Sequence, residues 1–271
     1  LPPLLTMEKI GAYCLTEPGS GSDAAALSTR AARDNAGYVL NGAKQFISGA
    51  GAADVYLTMV RTGGPGAAGV SALLVPKEAP GLSFGANERK MGWNAQPTRQ
   101  VIFEDARVAS DALLGEEGQG FRIAMSGLDG GRLNIGACSL GGAQAALDIA
   151  IAYVQERRAF GKAISEFQAT QFRLADMLTE LEAARGLLWR ACQRLDAGAP
   201  DATTFCAMAK RYATDTGFRV ADEALQLLGG YGYLADYGIE KIVRDLRVHR
   251  ILEGTNEIMR LIVSRDMLGR R

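Results

Sequence analysis

The chain has 271 residues, 48% of them hydrophobic, with 30 basic side chains against 30 acidic ones and hence no formal net charge. That length suits one large domain or two smaller ones, and the charge balance gives no footprint of a nucleic-acid or membrane-surface partner. No uninterrupted apolar run reaches the about 20 residues that span a bilayer. Cys14, Cys138, Cys192 and Cys206 are too scattered for a metal or disulfide framework and read as buried or semi-buried thiols of a reducing compartment.

Leu1-Pro2-Pro3 reads as the tail of an earlier segment, so any targeting segment would lie upstream. Residues 10–108 are β-rich. Tyr38-Val39-Leu40 and Gln45-Phe46-Ile47-Ser48 flank Asn41-Gly42, a dipeptide that tolerates positive φ and predicts a hairpin. Strands at 55–60 and 70–75 follow, stopped by Gly63-Gly64-Pro65-Gly66 and by Pro76 with Pro80-Gly81, and 101–103 ends the set. Turns at such short spacing predict a small antiparallel β-barrel or sandwich, bounded at 10–112.

Strand composition gives way to helix composition over 104–120. Helical apolar spacing runs from 121 to about 154, and again over 166–195, where Leu174, Met177, Leu178 and Leu181 share a stripe. A third helix starts at an Asp201 N-cap and stops at Gly229-Gly230, and a short fourth follows Thr255. Long helices on short connections predict an antiparallel four-helix bundle over 113–271, giving an α+β chain.

Four blocks carry chemistry. Tyr13-Cys14-Leu15-Thr16-Glu17-Pro18-Gly19-Ser20-Gly21-Ser22-Asp23 runs from an apolar start into a turn of exposed N–H groups, where glycine permits close approach and the hydroxyls add donors. It suits a flat, polar, anionic cofactor, although a plain turn reads the same way. Gln226-Leu227-Leu228-Gly229-Gly230-Tyr231-Gly232-Tyr233 is a helix C-cap that also frees backbone and amide groups. In Ile251-Leu252-Glu253-Gly254-Thr255-Asn256-Glu257-Ile258-Met259-Arg260 a loop carboxylate precedes a Thr-capped helix. Arg157-Arg158-Ala159-Phe160-Gly161-Lys162 puts cations at a helix end, where the dipole favours them. His249 has no partner Ser or Cys motif and reads as structural; Cys138 reads as core.

Taken in chain order the blocks resemble the flavin-dependent acyl-CoA dehydrogenases, from Leu4 to Arg265. The resemblance implies that residues 1–9 are the remnant of an N-terminal helical domain. It also implies FAD as cofactor, an acyl-CoA substrate, an electron-transfer flavoprotein as electron acceptor, and a homotetramer. Flavin contacts are implied at Tyr13, Cys14, Leu15, Thr16, Gly21, Ser22, Phe46, Ile47 and Ser48. Further ones fall at Arg157, Phe160, Gln168, Gln226, Leu227, Leu228, Gly229, Gly230, Thr255, Asn256 and Glu257. Arg157 would reach the diphosphate, for which a planar guanidinium is suited. Substrate contacts are implied at Ser22, Asp129, Gly130, Gly131, Arg132 and Arg265.

Glu253 falls on the family's catalytic base. Removing a weakly acidic proton α to a thioester needs a carboxylate whose pKa an apolar site has raised. Some relatives carry the base just before the arginine that matches Arg132; here that position is Gly131. Met7-Glu8-Lys9, Gly92-Trp93-Asn94-Ala95-Gln96-Pro97-Thr98 and residues 128–134 are most similar to the short branched-chain subclass of valine breakdown, with isobutyryl-CoA as substrate. Butyryl- or 2-methylbutyryl-CoA, a flavin oxidase or monooxygenase, and an inactive binding fragment stay open; Glu253 and the segment from Asp129 to Arg132 count against the oxidase, and the two intact glycine-rich blocks with Glu253 count against the binding fragment. The resemblance implies the cytoplasm of a bacterium or the mitochondrial matrix of a eukaryote.

Overall fold

The computed structural model describes residues 1–269. It divides into two compact units, Leu1–Lys90 with Asn94–Gly127, and Met91–Trp93 with the chain from Leu128 onward.

The first unit opens with a helical turn, α1 (Pro2–Leu5), and holds eight strands: β1 (Gly11–Cys14), β2 (Arg30–Arg33), β3 (Gly37–Ser48), β4 (Val55–Arg61), β5 (Val70–Pro76), β6 (Leu82–Phe84), β7 (Thr98–Ala109) and β8 (Leu113–Leu114). They form one sheet in the order β6-β7-β3-β2-β4-β5-β8, with β1 on β4. The expected antiparallel barrel is thus an open, mixed sheet: β6 and β8 are its ends, and β1 and β2 both run parallel to β4. The reason lies on one edge of β4. There β1 pairs as far as Thr58 and β2 takes over at Arg61, and the chain between them leaves the sheet as the Gly-Ser loop of the first block.

Tyr56, Val60, Leu73 and Val75 enter one core cluster, while Met59, Val70 and Ala72 enter another with Leu15, Leu27 and Ala124. Burial on both faces explains why β4 and β5 read as near-continuous apolar runs. Asn41-Gly42 is not a hairpin. It lies inside β3, where the pairing with β7 shifts register between Leu40 and Gly42. Gly42 is required there by close approach, since a Cβ would stand 2.8 Å from Thr29 Cα. The actual turn is made by Asp34, whose Oδ1 accepts from the N–H groups of Ala36 and Gly37.

The helices are α2 (Gly120–Glu156), α3 (Gln168–Asp196), α4 (Ala202–Leu228), α5 (Ile239–Arg247) and α6 (Asn256–Met267), with a two-residue ladder of β9 (Arg158–Ala159) and β10 (Lys162–Ala163) after α2. The part of α2 beyond Gly127 and the helices that follow build the second unit. By length and composition alone α2 could cross a membrane. Its Leu140, Ala143, Ala146, Leu147 and Ala150 instead enter a core with Met177, Leu181 and Leu188 of α3 and the small residues Ala209, Ala213, Ala221 and Ala224 of α4. Gly217 lets α4 approach α2, because a Cβ there would meet Ser139 O at 2.9 Å. Asp201 does not cap α4 with its side chain; Arg194 Nε donates to its Oδ1 at 2.8 Å. Cys138 is exposed, contrary to its core reading, because the next residue, Ser139, takes the inward face of α2.

Candidate functional site

In the first unit, strand alternation buries Cys14, whose thiol burial pushes up to about 12, and leaves Tyr13 37% exposed. Cys14 and Leu15 therefore have only backbone to offer a ligand. The Gln45 N–H donates to Thr16 O at 2.8 Å, which sets the first block beside Phe46 and Ser48. Phe46 lies within a second register shift of β3, at φ 59 and 64% exposed. A bulky aromatic held left-handed and facing solvent is strain without a packing reason, the kind that clusters at functional sites. Ile47 turns into the core, Ser48 Oγ accepts from Gln96 Nε2 at 3.1 Å, and Gly21 and Ser22 lie exposed in the loop.

A buried ion pair holds that loop. Lys44 Nζ donates to Leu15 O at 3.1 Å and to Glu17 Oε1 at 2.7 Å, while Glu17 also accepts from the N–H groups of Ser28 and Thr29. Burial pushes the Glu17 carboxyl up, but the Lys44 charge and these hydrogen bonds win and hold it at about 2.

In the second unit, Glu253 (φ 56) and Gly254 (φ 87) are consecutive left-handed residues. They turn the chain so that Thr255 caps α6, its Oγ1 accepting from the Ile258 N–H at 3.3 Å. The Glu253 carboxylate rests on α2 at Gly131, where a Cβ would stand 2.5 Å from Oε2 and 2.8 Å from Cδ. Only a residue without a side chain leaves that room. Arg132 Nε reaches Glu253 O at 3.5 Å, and its Nη1 donates to Asp129 Oδ1 at 2.6 Å; Thr203 Oγ1 donates to Asp129 Oδ2 at 2.6 Å. Both Asp129 oxygens are thus engaged inside the unit, so the Asp129–Arg132 pair props the Glu253 turn.

From α4, the wholly buried Lys210 donates to Gly254 O at 2.7 Å and to Asn256 Oδ1 at 3.0 Å. Asn256 Nδ2 donates to Asp215 Oδ1 at 2.8 Å and Thr214 Oγ1 at 3.0 Å, so its side chain is enclosed rather than presented to a ligand. Burial raises the Glu253 carboxyl above the ordinary 4.5, with Arg132 and Lys210 opposing; burial lowers Lys210 to about 8.

Just ahead of the Glu253 turn, His249 Nε2 accepts from Trp93 Nε1–H at 3.1 Å, which leaves the ring proton on Nδ1, 2.6 Å from Ser139 Oγ. Burial, aided by the Lys210 charge, pushes His249 down to about 4. It is a packed, neutral histidine bonded on both sides, as its reading as structural requires.

At the far end of α4, Gln226, Leu227, Leu228, Gly229 and Gly230 line a surface cleft of about 390 Å³ together with Arg157. Gly229 (φ 59) caps the helix with open space where a Cβ would stand, baring backbone, and the Arg157 guanidinium lies 5.4 Å from the Tyr231 ring centroid. These six expected cofactor positions converge. Phe160 (95% exposed, φ 50) and Gln168 do not line the cleft. Glu257 and Arg265 are exposed on α6, and Gly130 leaves open space beside α2. An arginine with an amide side chain and bared backbone over aromatic walls fits a nucleotide diphosphate and its base. The residues present therefore fit the expected cofactor. Sequence reasoning missed Lys44, Thr203 and Lys210; the one available signal for Lys210 was a lysine set among Ala207, Ala209 and Ala213 on an inward helix face.

Residues 118–268 match the family described as "Acyl-CoA dehydrogenase, C-terminal domain", and residues 12–106 match "Acyl-CoA dehydrogenase, middle domain". The chain is 58% identical over 268 residues to the mitochondrial isobutyryl-CoA dehydrogenase of Dictyostelium discoideum, covering 98% of this chain and 64% of that protein. It thus spans just under two thirds of that relative's length. Butyryl-CoA dehydrogenase of Megasphaera elsdenii superposes with a TM-score of 0.96 at 42% identity, covering 98% of this chain and 70% of that one. An acyl-CoA dehydrogenase from Bacillus anthracis complexed with FAD gives 0.94 at 37% identity, covering 99% and 50%.

Proposed function

The chain belongs to the acyl-CoA dehydrogenase family, and we propose that it carries the flavin-dependent α,β-dehydrogenation of a short branched-chain acyl-CoA, isobutyryl-CoA first, with Glu253 as base. The observation that carries this reading is the seat of the Glu253 carboxylate on the bare backbone of Gly131, half-buried and raised in pKa. A carboxylate so placed takes a proton from carbon more readily than an exposed one, because burial penalises its charge until it is neutralised. Gly254, with no side chain, leaves the turn beside it free for close approach of a thioester oxygen.

FAD, when bound, supplies the acceptor for the hydride leaving the β-carbon. Phe46 and Ser48 of the first unit, with the backbone from Tyr13 to Thr16, are its proposed contacts there. In the second unit they are Arg157, on the diphosphate, and the residues from Gln226 to Gly230. The helical unit is read as the family's antiparallel bundle of α2, α3, α4 and α6, and the core that α2, α3 and α4 share supports it. An electron-transfer flavoprotein as acceptor, assembly as a homotetramer, and the mitochondrial matrix of a eukaryote or the cytoplasm of a bacterium complete the proposal. The test is anaerobic mixing of the full-length, flavin-loaded protein with isobutyryl-, 2-methylbutyryl- and butyryl-CoA. Fastest flavin bleaching is expected with isobutyryl-CoA; faster bleaching with butyryl-CoA would overturn the subclass, and a full-length protein that holds no flavin would overturn the function.

A further inference from the structure

Lys210 lies on the inward face of α4 with no exposed surface, among Ala207, Ala209 and Ala213. A buried ammonium persists only where partners compensate its lost hydration. The acceptors found for it both belong to the Glu253 turn: Gly254 O at 2.7 Å and Asn256 Oδ1 at 3.0 Å.

On α2, Arg132 is committed to Asp129 at 2.6 Å. On α4, Asp215 is shared by Arg211 at 3.7 Å and by Arg260 of α6 at 3.4 Å. Glu257 of α6 is exposed, and His249, ahead of the turn, is buried and neutral. Among the described residues no carboxylate forms an ion pair with Lys210, and the strongest charge acting on it is that of Glu253. Its attachment to Gly254 O and Asn256 Oδ1 ties down the left-handed residue next to Glu253 and the first residue of α6, so the direction of the carboxylate depends on it.

We propose that Lys210 is the positioning residue of the proton-abstracting carboxylate: it fixes the turn that seats Glu253 on Gly131 and supplies the uncommitted positive charge that keeps the buried carboxylate ionised. The proposal rests on Glu253 being the base. Removing the charge favours the protonated acid, so a Lys210→Met enzyme loses its base at a pH where the wild type still has it.

The experiment follows the carboxyl band of Glu253 by infrared difference titration of the full-length, flavin-loaded protein, the band being identified by its loss in Glu253→Gln. Anaerobic flavin bleaching by isobutyryl-CoA is measured across the same pH range. Lys210→Met is expected to raise the titration midpoint by on the order of one pH unit and to move the acidic limb of bleaching with it. Lys210→Arg, which keeps the charge, is expected to return the midpoint toward the wild-type value. A purely scaffolding lysine would lower rate or stability without moving the midpoint, and an unmoved midpoint overturns the proposal. Should Lys210→Met yield no folded protein, the wild type decides. Its Glu253 carboxylate band must then shift as Lys210 loses its proton near about 8, and a flat band through that range overturns the proposal. Near-normal bleaching in Glu253→Gln would overturn the base assignment instead, whereas a dead Glu253→Gln with an unmoved Lys210→Met overturns the lysine's role alone.

Discussion

Gly131→Ala adds one methyl group and sets two effects against each other. On a helix interior, alanine is favoured over glycine by about 0.5–1 kcal/mol. Its Cβ, however, would stand 2.5 Å from Glu253 Oε2, where ordinary contact begins near 3.4 Å, so the carboxylate must retreat by about 0.9 Å. The turn cannot follow easily, because Gly254 O is held by Lys210 at 2.7 Å and Thr255 is fixed as the cap of α6. A misplacement of about 1 Å in a reacting group costs on the order of 10²-fold in rate. The expected Gly131→Ala protein keeps its flavin and its acyl-CoA affinity, melts no lower than wild type, and bleaches its flavin on the order of 10²-fold more slowly. The assay is anaerobic stopped flow with saturating isobutyryl-CoA beside a thermal melt. Bleaching within about twofold of wild type, well inside the on-the-order-of 10² loss the geometry demands, would refute the seat of Glu253 on Gly131 during turnover.

Arg157→Ala should lower FAD occupancy after dialysis more than it weakens acyl-CoA binding, since it removes the guanidinium of the cleft; unchanged occupancy would take Arg157 off the cofactor contacts. Glu17, held at about 2 against an ordinary 4.5, contributes stability that is complete above 4.5 and is lost as pH falls from there toward 2. Acid unfolding of the first unit should therefore lie in that window, and a Glu17→Gln protein whose acid profile matches wild type would contradict this. His249, depressed to about 4 from 6.5, must take up a proton when the second unit unfolds, so its contribution is complete above 6.5 and falls away toward 4. In Trp189→Phe the remaining Trp93, edge-on to the His249 ring at 5.4 Å, should report this as a fluorescence change in that range, and a flat signal there would count against it.

What the sequence disclosed, and what it hid, follows from which contacts are local. Helices α2 and α3 were legible from apolar residues at helical spacing, α4 from the signals at its ends, and the short α6 from Thr255 ahead of it. By contrast α5 carries its apolar stripe, Ile239, Ile242, Val243 and Leu246, over only nine residues crowded with Glu240, Lys241, Arg244, Asp245 and Arg247, too short a run to stand out as a helix. Asn41-Gly42 misled because tolerance of positive φ serves a bulge as well as a hairpin; the pressure of Thr29 on Gly42 decides between them and comes from the segment just ahead of β2. The Gln226–Gly230 stretch and Glu253 could be found because each lies in one contiguous block. Lys210 could not, since its partner Gly254 lies 44 residues on. Asn256, expected at the flavin, and Asp129 with Arg132, expected at the substrate, have side chains engaged within the protein, and burial of that kind is invisible in a linear pattern.

Glu253→Gln tests the central claim most directly. Glutamine is nearly isosteric and keeps hydrogen-bonding capacity, so the turn between Lys210 and α6 should hold its shape, and the protein should stay yellow and bind isobutyryl-CoA. It cannot accept the α-proton. Loss of a general base costs about 10²–10⁴-fold, and anaerobic bleaching of the flavin should fall by at least that much. Near-normal bleaching in Glu253→Gln, with flavin and acyl-CoA both bound, would contradict the account and move the proton to another acid.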